Sequence, residues 1–436
     1  MRVTVIVCGM LLIVLGCVFP PAWFGSVSHA DDALVLPKGR ARVTLDGYFY
    51  LPIEKRYNPD GNLEPVAIDY NRALDSRVFP LLAPLDRLVG GRASIGDSVV
   101  SFQYDFTILE LGLQYGIADR LTVGVKIPYW WWKNTVNARL NSGLGSSANV
   151  GLNPRFEAPG QPPLIPLALG GVPLTTADVQ QLLGPGLRGI PGFGFKRVET
   201  RSGHGVGDIE AGFRYQYFKT ADWRFALTGG ARFPTGKLDD PDDLVDYGIG
   251  RGAYALLFRL NSDYMISNLW KGQKGSAAER APGVLLPREV VLNATFRYDL
   301  VLPDHTTKRV PDDVNNPITR NKENVHRDLG DIFEFEGAVK SGLFEGLSIS
   351  ALYKYGFSLQ DHIAGKRGFA YSSLEKETAY TEHVVITGLS YTTLPLYLEK
   401  KFPFPLNGFL GYRNRFAGSN NVFKSEYITL RLEILF

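Results

Sequence analysis

YITLRLEILF, residues 427–436, alternates without a break. Ile428, Leu430, Leu432, Ile434 and Phe436 fall on one face of an extended strand, and Tyr427, Thr429, Arg431, Glu433 and Leu435 on the other. Successive side chains of a strand point to opposite faces, so the segment has one oily and one mainly polar face. A strand of a soluble sandwich has the same pattern. The ending alone leaves two fold classes open.

The alternation recurs along the chain. Ala41, Val43, Leu45, Gly47 and Phe49 oppose Arg40, Arg42, Thr44, Asp46 and Tyr48. Ile209, Ala211, Phe213, Tyr215 and Tyr217 oppose Glu210, Gly212, Arg214 and Gln216; Trp223, Phe225, Leu227 and Phe233 oppose Arg224, Thr228 and Arg232. Phe333, Phe335 and Val339 oppose Glu334, Glu336 and Lys340, and Tyr353, Tyr355 and Phe357 oppose Lys354 and Ser358. About twelve such segments are predicted, near 40–50, 98–116, 120–133, 207–218, 222–233, 250–264, 288–302, 329–341, 347–361, 378–400, 405–417 and 422–436. Several reach ten residues or more. Strands of soluble proteins run to about five or six, whereas a tilted strand crossing a bilayer needs about 9–11.

The connections decide between the two folds. If direction alternates from a periplasmic start, the inner gaps are 117–119, 219–221, 342–346 and 401–404, with one long exception at 265–287. The outer gaps are 51–97, 134–206, 234–249, 303–328, 362–377 and 418–421. Short inner turns, mostly long outer loops and an even strand count are the pattern of outer-membrane barrels. The predicted fold is all-β, a closed antiparallel transmembrane β-barrel of about twelve strands with long extracellular loops near 51–97 and 138–206. Tyr129, Trp130, Trp131 and Trp132 at the outer end of the third strand, and Tyr217 and Trp223 beside an inner turn, suit aromatic girdles, although the three tryptophans cannot all face lipid.

Residues 1–30 suit a secretory signal peptide: Arg2, an apolar run over 3–19, and Ser28-His29-Ala30 before Asp31-Asp32. A retained anchor helix and lipidation at Cys17, after Val14-Leu15-Gly16, are the competing interpretations. Both cysteines, Cys8 and Cys17, lie in this region, so residues 18–436 contain no thiol for disulfides, metal binding or nucleophilic catalysis. A formal net charge of +3 without a basic cluster gives no indication of nucleic acid.

The polar faces nominate the lumen wall. Its candidates are Glu210, Arg214, Arg224, Arg232, Glu334, Glu336, Lys354, Arg431 and Glu433. Twelve strands lie between the eight of side-chain-filled barrels and the sixteen of aqueous ones, so a narrow or gated lumen is expected. In loop 138–206, residues 175–184 predict a short helix capped by Thr175 or Thr176 and stopped by Gly184. A loop of this length suits folding over or into the pore, or a disordered surface loop. The acidic loop 234–249 is expected to be solvated rather than a calcium site, because its spacing departs from an EF-hand. Loop 303–328 is likewise expected to be solvated.

The block GVGDIEAGFRYQYFKTADWRFALTGGARFPTGKLDDP, 205–241, resembles the outer-membrane proteins named for the MetA pathway of phenol degradation, most specifically at Gly205, Gly207, Asp208, Pro234, Thr235 and Gly236. The resemblance implies passage of aromatic or other hydrophobic compounds. The more distant FadL-type channels share the general pattern. The long loops depart from a compact member, and the resemblance transfers no functional residues. A terminal aromatic such as Phe436 resembles the signature recognised by the barrel assembly machinery, which is the expected partner together with outer-membrane lipid and a small hydrophobic solute.

His204, His305, His326 and His362 fall in or beside outer loops and His383 in a strand, none in a hydrolase motif. The expected function is therefore not enzymatic and uses no cofactor: passive passage of small hydrophobic or aromatic compounds through a narrow lumen gated by loop 138–206. A structural or interaction barrel with a plugged lumen is the alternative, and a lipid-modifying enzyme the least favoured.

Overall fold

The computed structural model describes residues 32–150, 174–187, 189–271, 289–314 and 318–436. The signal-peptide and Cys17 interpretations therefore fall outside the described residues. Twelve long strands form the wall: β1 (Ala41–Tyr50), β2 (Ser94–Ala118), β3 (Leu121–Asn141), β4 (Ile209–Lys219), β5 (Trp223–Phe233) and β6 (Ala255–Tyr264). The second half comprises β7 (Val290–Val301), β8 (Ile332–Gly342), β9 (Leu347–Ser358), β10 (Tyr380–Thr392), β11 (Leu406–Gly418) and β12 (Glu426–Leu435). Each pairs antiparallel with its sequence neighbours, and β12 pairs back onto β1. The closing seam runs from Arg42↔Leu435 to Tyr50↔Tyr427, and Ala41 and Phe436 exchange two backbone hydrogen bonds at its end. The C-terminal decapeptide is thus the strand that closes the barrel.

Exposure follows the alternation. Leu45, Leu113, Trp131, Phe213, Leu227, Phe258, Leu292, Phe335, Ile349, Leu389, Leu410 and Leu430, one from each strand in order, are exposed large apolar side chains. A continuous apolar belt of this extent belongs against lipid, not water. Among the described residues no helix is long and apolar enough to cross a membrane. The tryptophan run is divided by the two-residue period: Trp131 is exposed outside and ring-packed on Tyr129, while Trp132 is buried inside. At the opposite rim Trp223 stacks on Phe225 and Tyr264.

Three boundaries differ from expectation. Segment 378–400 is not one strand: β10 stops at Thr392 and Leu394–Leu398 is a helical turn with proline at its start, where a missing N–H costs nothing. The β2–β3 hairpin extends from Asp97↔Asn141 downward, and residues 201–206 pair with Tyr129–Asn134 above β4. The connection expected over 138–206 therefore spans 142–200. Loops 234–249 and 303–328 are not simply solvated. The first packs Val245 and Ile249 into a buried cluster, and the second forms strands Asp304–Arg309 and Lys322–Asp328 in a separate outer sheet.

The 205–241 motif is a joint in this wall. On the inner face Gly203 and Gly207 lie under the Trp132 and Trp130 rings; an added Cβ at either would come within 2.7 Å of an indole nitrogen. Only glycine permits so close an approach. Asp208 accepts backbone hydrogen bonds from Gly236 (3.0 Å) and Arg251 (2.8 Å). The Thr235 hydroxyl donates to the Gly207 carbonyl (2.7 Å) and accepts from the Ile209 N–H (3.1 Å). These bonds fasten loop 234–251 where the strand bends. Asp208→Ala leaves two N–H groups without their acceptor and is expected to destabilise the barrel by about 1–3 kcal/mol, read as a lower urea midpoint for refolding into lipid vesicles; an unchanged midpoint contradicts the joint.

Candidate functional site

The interior of the barrel is built in three layers, each set by inward positions of the strands. The outermost is aromatic. Tyr50, Tyr104, Phe106, Trp130 and Trp132 from β1 to β3 meet Tyr247 of loop 234–249 and Phe423 before β12. Ring centroids lie 4.7 Å apart for Phe106–Tyr247, 5.3 Å for Tyr104–Phe423 and 5.7 Å for Tyr50–Phe106. Edge and offset contacts of this kind add to apolar burial. Loop 234–249 is drawn down over the mouth, where Asn134 donates to the Val245 carbonyl at 3.2 Å.

Below it runs a belt of paired charges. Glu210 on β4 meets Arg232 on β5 at 2.7 Å; Arg232 meets Asp299 on β7 at 2.9 Å. Arg297 bridges Asp299 (2.6 Å) and Glu334 on β8 (3.2 Å). Lys354 on β9 joins Glu334 (2.8 Å) to Glu382 on β10 (2.7 Å), and Glu382 continues to Arg415 on β11 (2.7 Å). Arg259 on β6 approaches Glu210 at 3.6 Å. One network thus spans eight consecutive strands. At the seam Arg431 meets Asp46 (2.5 Å), and Glu433 accepts from Asn407 (2.9 Å) with Arg42 at 3.6 Å.

The innermost layer contains the chain's own N-terminal segment. Ala33 and Leu36 are buried inside the barrel end. The Ala33 N–H donates to the Asp263 carboxylate (3.1 Å), Gln216 donates to the Ala33 carbonyl (2.7 Å) and the Leu36 N–H donates to Thr122 (2.7 Å). Arg214 donates to the Asp32 carbonyl at 2.8 Å, and Arg224 lies 3.9 Å from Asp263. A cavity of about 120 Å³ remains, lined in part by Leu34, Arg42, Gln114, Lys126, Glu210 and Arg259. At about 30 Å³ each, that is room for only a few waters.

The nine nominated residues all occupy inward positions, but they are not one site. Glu210, Arg232, Glu334 and Lys354 share the belt. Glu336 sits in register with Lys354. Arg431 and Glu433 belong to the seam, and Arg214 and Arg224 to the innermost layer. Arg297, Asp299, Glu382, Arg415 and Asp263 were missed, although the same alternation parses β6, β7, β10 and β11. No periodicity indicates the Asp32–Leu36 segment, because its partners lie far away in sequence.

The histidines are dispersed. His204 bonds Tyr129 (2.8 Å), and outward His383 bonds Tyr353 (2.7 Å). His305 and His326 face each other across the outer sheet, which also carries His362. Among the described residues no group of three or more His, Cys, Asp or Glu is placed to hold a metal ion. The aspartates of loop 234–249 are engaged instead: Asp240 by Lys196 (2.7 Å), Asp243 by Arg201 (2.9 Å), Asp239 by Lys308 (2.8 Å), and Asp242 by Arg309 and Lys322.

No protein-family model and no curated protein matches the chain. Among solved structures it is similar to an outer membrane channel from Pseudomonas putida F1, at 12% identity and a TM-score of 0.48 over 94% of this chain and 100% of that one. It is also similar to the translocator domain of the autotransporter NalP from Neisseria meningitidis (10% identity, TM-score 0.34, 92% and 89% covered). A third is the P. putida toluene transporter TodX (9%, 0.31, 92% and 90%). Likenesses this remote, reaching both a transporter and an autotransporter, do not select a function.

Two outcomes test the site's electrostatics. Removing one partner of a buried ion pair strands the others at a cost of about 3–5 kcal/mol. Arg297→Ala leaves Asp299 with Arg232 and Glu334 with Lys354 as their remaining close cations, so it is expected to lose somewhat less, about 2–3 kcal/mol, in urea-titrated refolding, and a loss below about 1 kcal/mol contradicts the belt. Outside the membrane, Lys196 holds the Asp240 carboxyl below the usual range. Burial pushes Asp242 up, but hydrogen bonds from Lys322 and Arg309 outweigh it and hold it low. Their contribution is complete above the unfolded carboxylate value of about 3.9 and is lost as pH falls through the depressed values. Hydrogen exchange of 234–249, corrected for intrinsic rate, is expected to stay slow from pH 7 to 5 and accelerate below 4.

Proposed function

We propose that this chain is a passive outer-membrane channel for small hydrophobic or aromatic molecules. The observation that carries this reading is the aromatic layer at the outer mouth, above an interior that holds a cavity of about 120 Å³. A porin for hydrophilic solutes needs a wide aqueous bore lined by solvated polar groups. Here the mouth is lined by rings that favour apolar and aromatic solutes, and the charges beneath are committed to one another. The resemblance of 205–241 to the MetA-pathway proteins of phenol degradation supports the same solute class. Gating falls to two elements. Connection 142–200 places its helix Thr176–Leu183 above the barrel, and Asp32–Leu36 crosses its inner end. Passage requires that inner segment to shift.

A second reading, a structural barrel with a plugged lumen, is favoured by the fit of that segment: both the N–H and the carbonyl of Ala33 are hydrogen-bonded to the wall. Planar-bilayer recordings separate the two. The mature chain is expected to conduct weakly, with discrete and larger steps after removal of residues 31–36 or 142–200. Liposomes carrying the intact chain are expected to take up toluene faster than empty ones, while glucose entry stays unchanged. No conductance from any variant, with no added toluene uptake, establishes the plugged barrel instead.

A further inference from the structure

We propose that the extracellular cap holds a binding site for an uncharged apolar molecule the size of a two-ring aromatic hydrocarbon. The site is a cavity of about 320 Å³ among the outer loops, and it shares no lining residue with the cavity inside the barrel. Its walls come from distant parts of the chain: Leu74 and Phe79 from the first outer loop, Val100 and Ala138 from the upper β2–β3 hairpin, and Val179 and Leu183 from helix Thr176–Leu183.

The walls are fastened before any ligand arrives. The Leu140 N–H donates to the Thr176 hydroxyl (3.0 Å), tying helix to hairpin. Gln180 donates to the Val198 carbonyl (3.0 Å) and accepts its N–H (2.9 Å). Tyr70, whose hydroxyl burial pushes up to about 12, donates to the Leu244 carbonyl at 2.8 Å. Ser98 donates to the Tyr70 carbonyl (2.5 Å). The hydroxyls and the amide that reach the cavity are therefore already bonded to protein, and a ligand need bring no polar partner. Charged lining residues, Asp69, Arg72 and Arg139, are exposed and form its rim.

Size narrows the class. An apolar cavity of about 150 Å³ stays dry and takes up benzene; this one is roughly twice as large, which suits two fused rings or a chain of about ten carbons. Its position supplies a purpose. Val100, Ala138 and Leu183 also pack against the aromatic cluster of the mouth, and Tyr70 meets Phe102 at 4.9 Å. A molecule leaving the cavity next meets the ring layer. Only this onward step rests on the channel reading.

Residues 18–436 contain no cysteine, so single thiols report the site. In nanodiscs, Val179→Cys is expected to react with a maleimide at a rate that naphthalene slows by the factor 1 + [L]/Kd, about tenfold near ten times Kd. Leu144→Cys, at a position 93% exposed in the same cap, is expected to react at the same rate with or without naphthalene. Ala138→Trp, added to Val179→Cys, is expected to fill the cavity and abolish the protection. Equal rates at Val179→Cys with and without naphthalene overturn the site, as does a thiol inert in both conditions, which would mean the chain itself fills the space. Equal protection by naphthalenesulfonate overturns the uncharged class. Toluene uptake is scored separately: protection without uptake keeps the site and removes the channel, and uptake without protection does the reverse.

Discussion

Within hydrocarbon every peptide N–H and C=O needs a partner from the protein, because an unsatisfied one costs several kcal/mol. The structure follows from that constraint. The pairing of β12 with β1 removes the last open edge, and the mutual bonds of Ala41 and Phe436 close the inner end of the seam. With the sheet closed, the two-residue period sends one set of side chains to lipid and the other to an interior of limited width. The oily face of YITLRLEILF and the ion pairs of its other face are consequences of the same closure.

An interior this narrow brings inward charges from different strands within reach of one another. In a wide, water-filled barrel Glu210, Arg297 and Glu334 would be solvated singly. Here each leaves bulk water and must be compensated by an opposite charge or hydrogen bond. The compensation is shared: Arg297 serves Asp299 and Glu334, and Lys354 serves Glu334 and Glu382. A shared network fixes the relative position of eight strands, which isolated pairs would not do.

The strands were legible because their information is local. Alternation over ten residues needs no knowledge of neighbours, and Thr175 and Gly184 bracket a helix within ten residues of chain. The cap of the site was less legible for the converse reason. Tyr247 and Val245 sit in a loop whose five aspartates suggest solvent, yet lysines and arginines from elsewhere in the chain pair with four of them and let the apolar residues turn inward. The Asp32–Leu36 segment carries no periodic pattern, and its ligands Thr122, Gln216 and Asp263 lie about 90 to 230 positions away. The 378–400 segment misled because Leu394, Leu396, Tyr397 and Leu398 keep it apolar past Thr392, while Pro395 disfavours continuing the ladder.

The motif of residues 205–241 acts through the shape it imposes rather than through chemistry of its own. Its Gly207, with Gly203 just before it, leaves room for Trp130 and Trp132 against the wall, and its Asp208 and Thr235 anchor the loop that brings Tyr247 against Trp132. None of the six motif residues needs to touch a solute. What they establish is the shape of an aromatic mouth: a smooth wall on one side and a fixed loop on the other. Side chains larger than glycine at 203 or 207 would push the indoles into the lumen, and a loop released from Asp208 would lift Tyr247 away. The motif therefore constrains the mouth's width from both sides, while solute preference is left to the rings themselves.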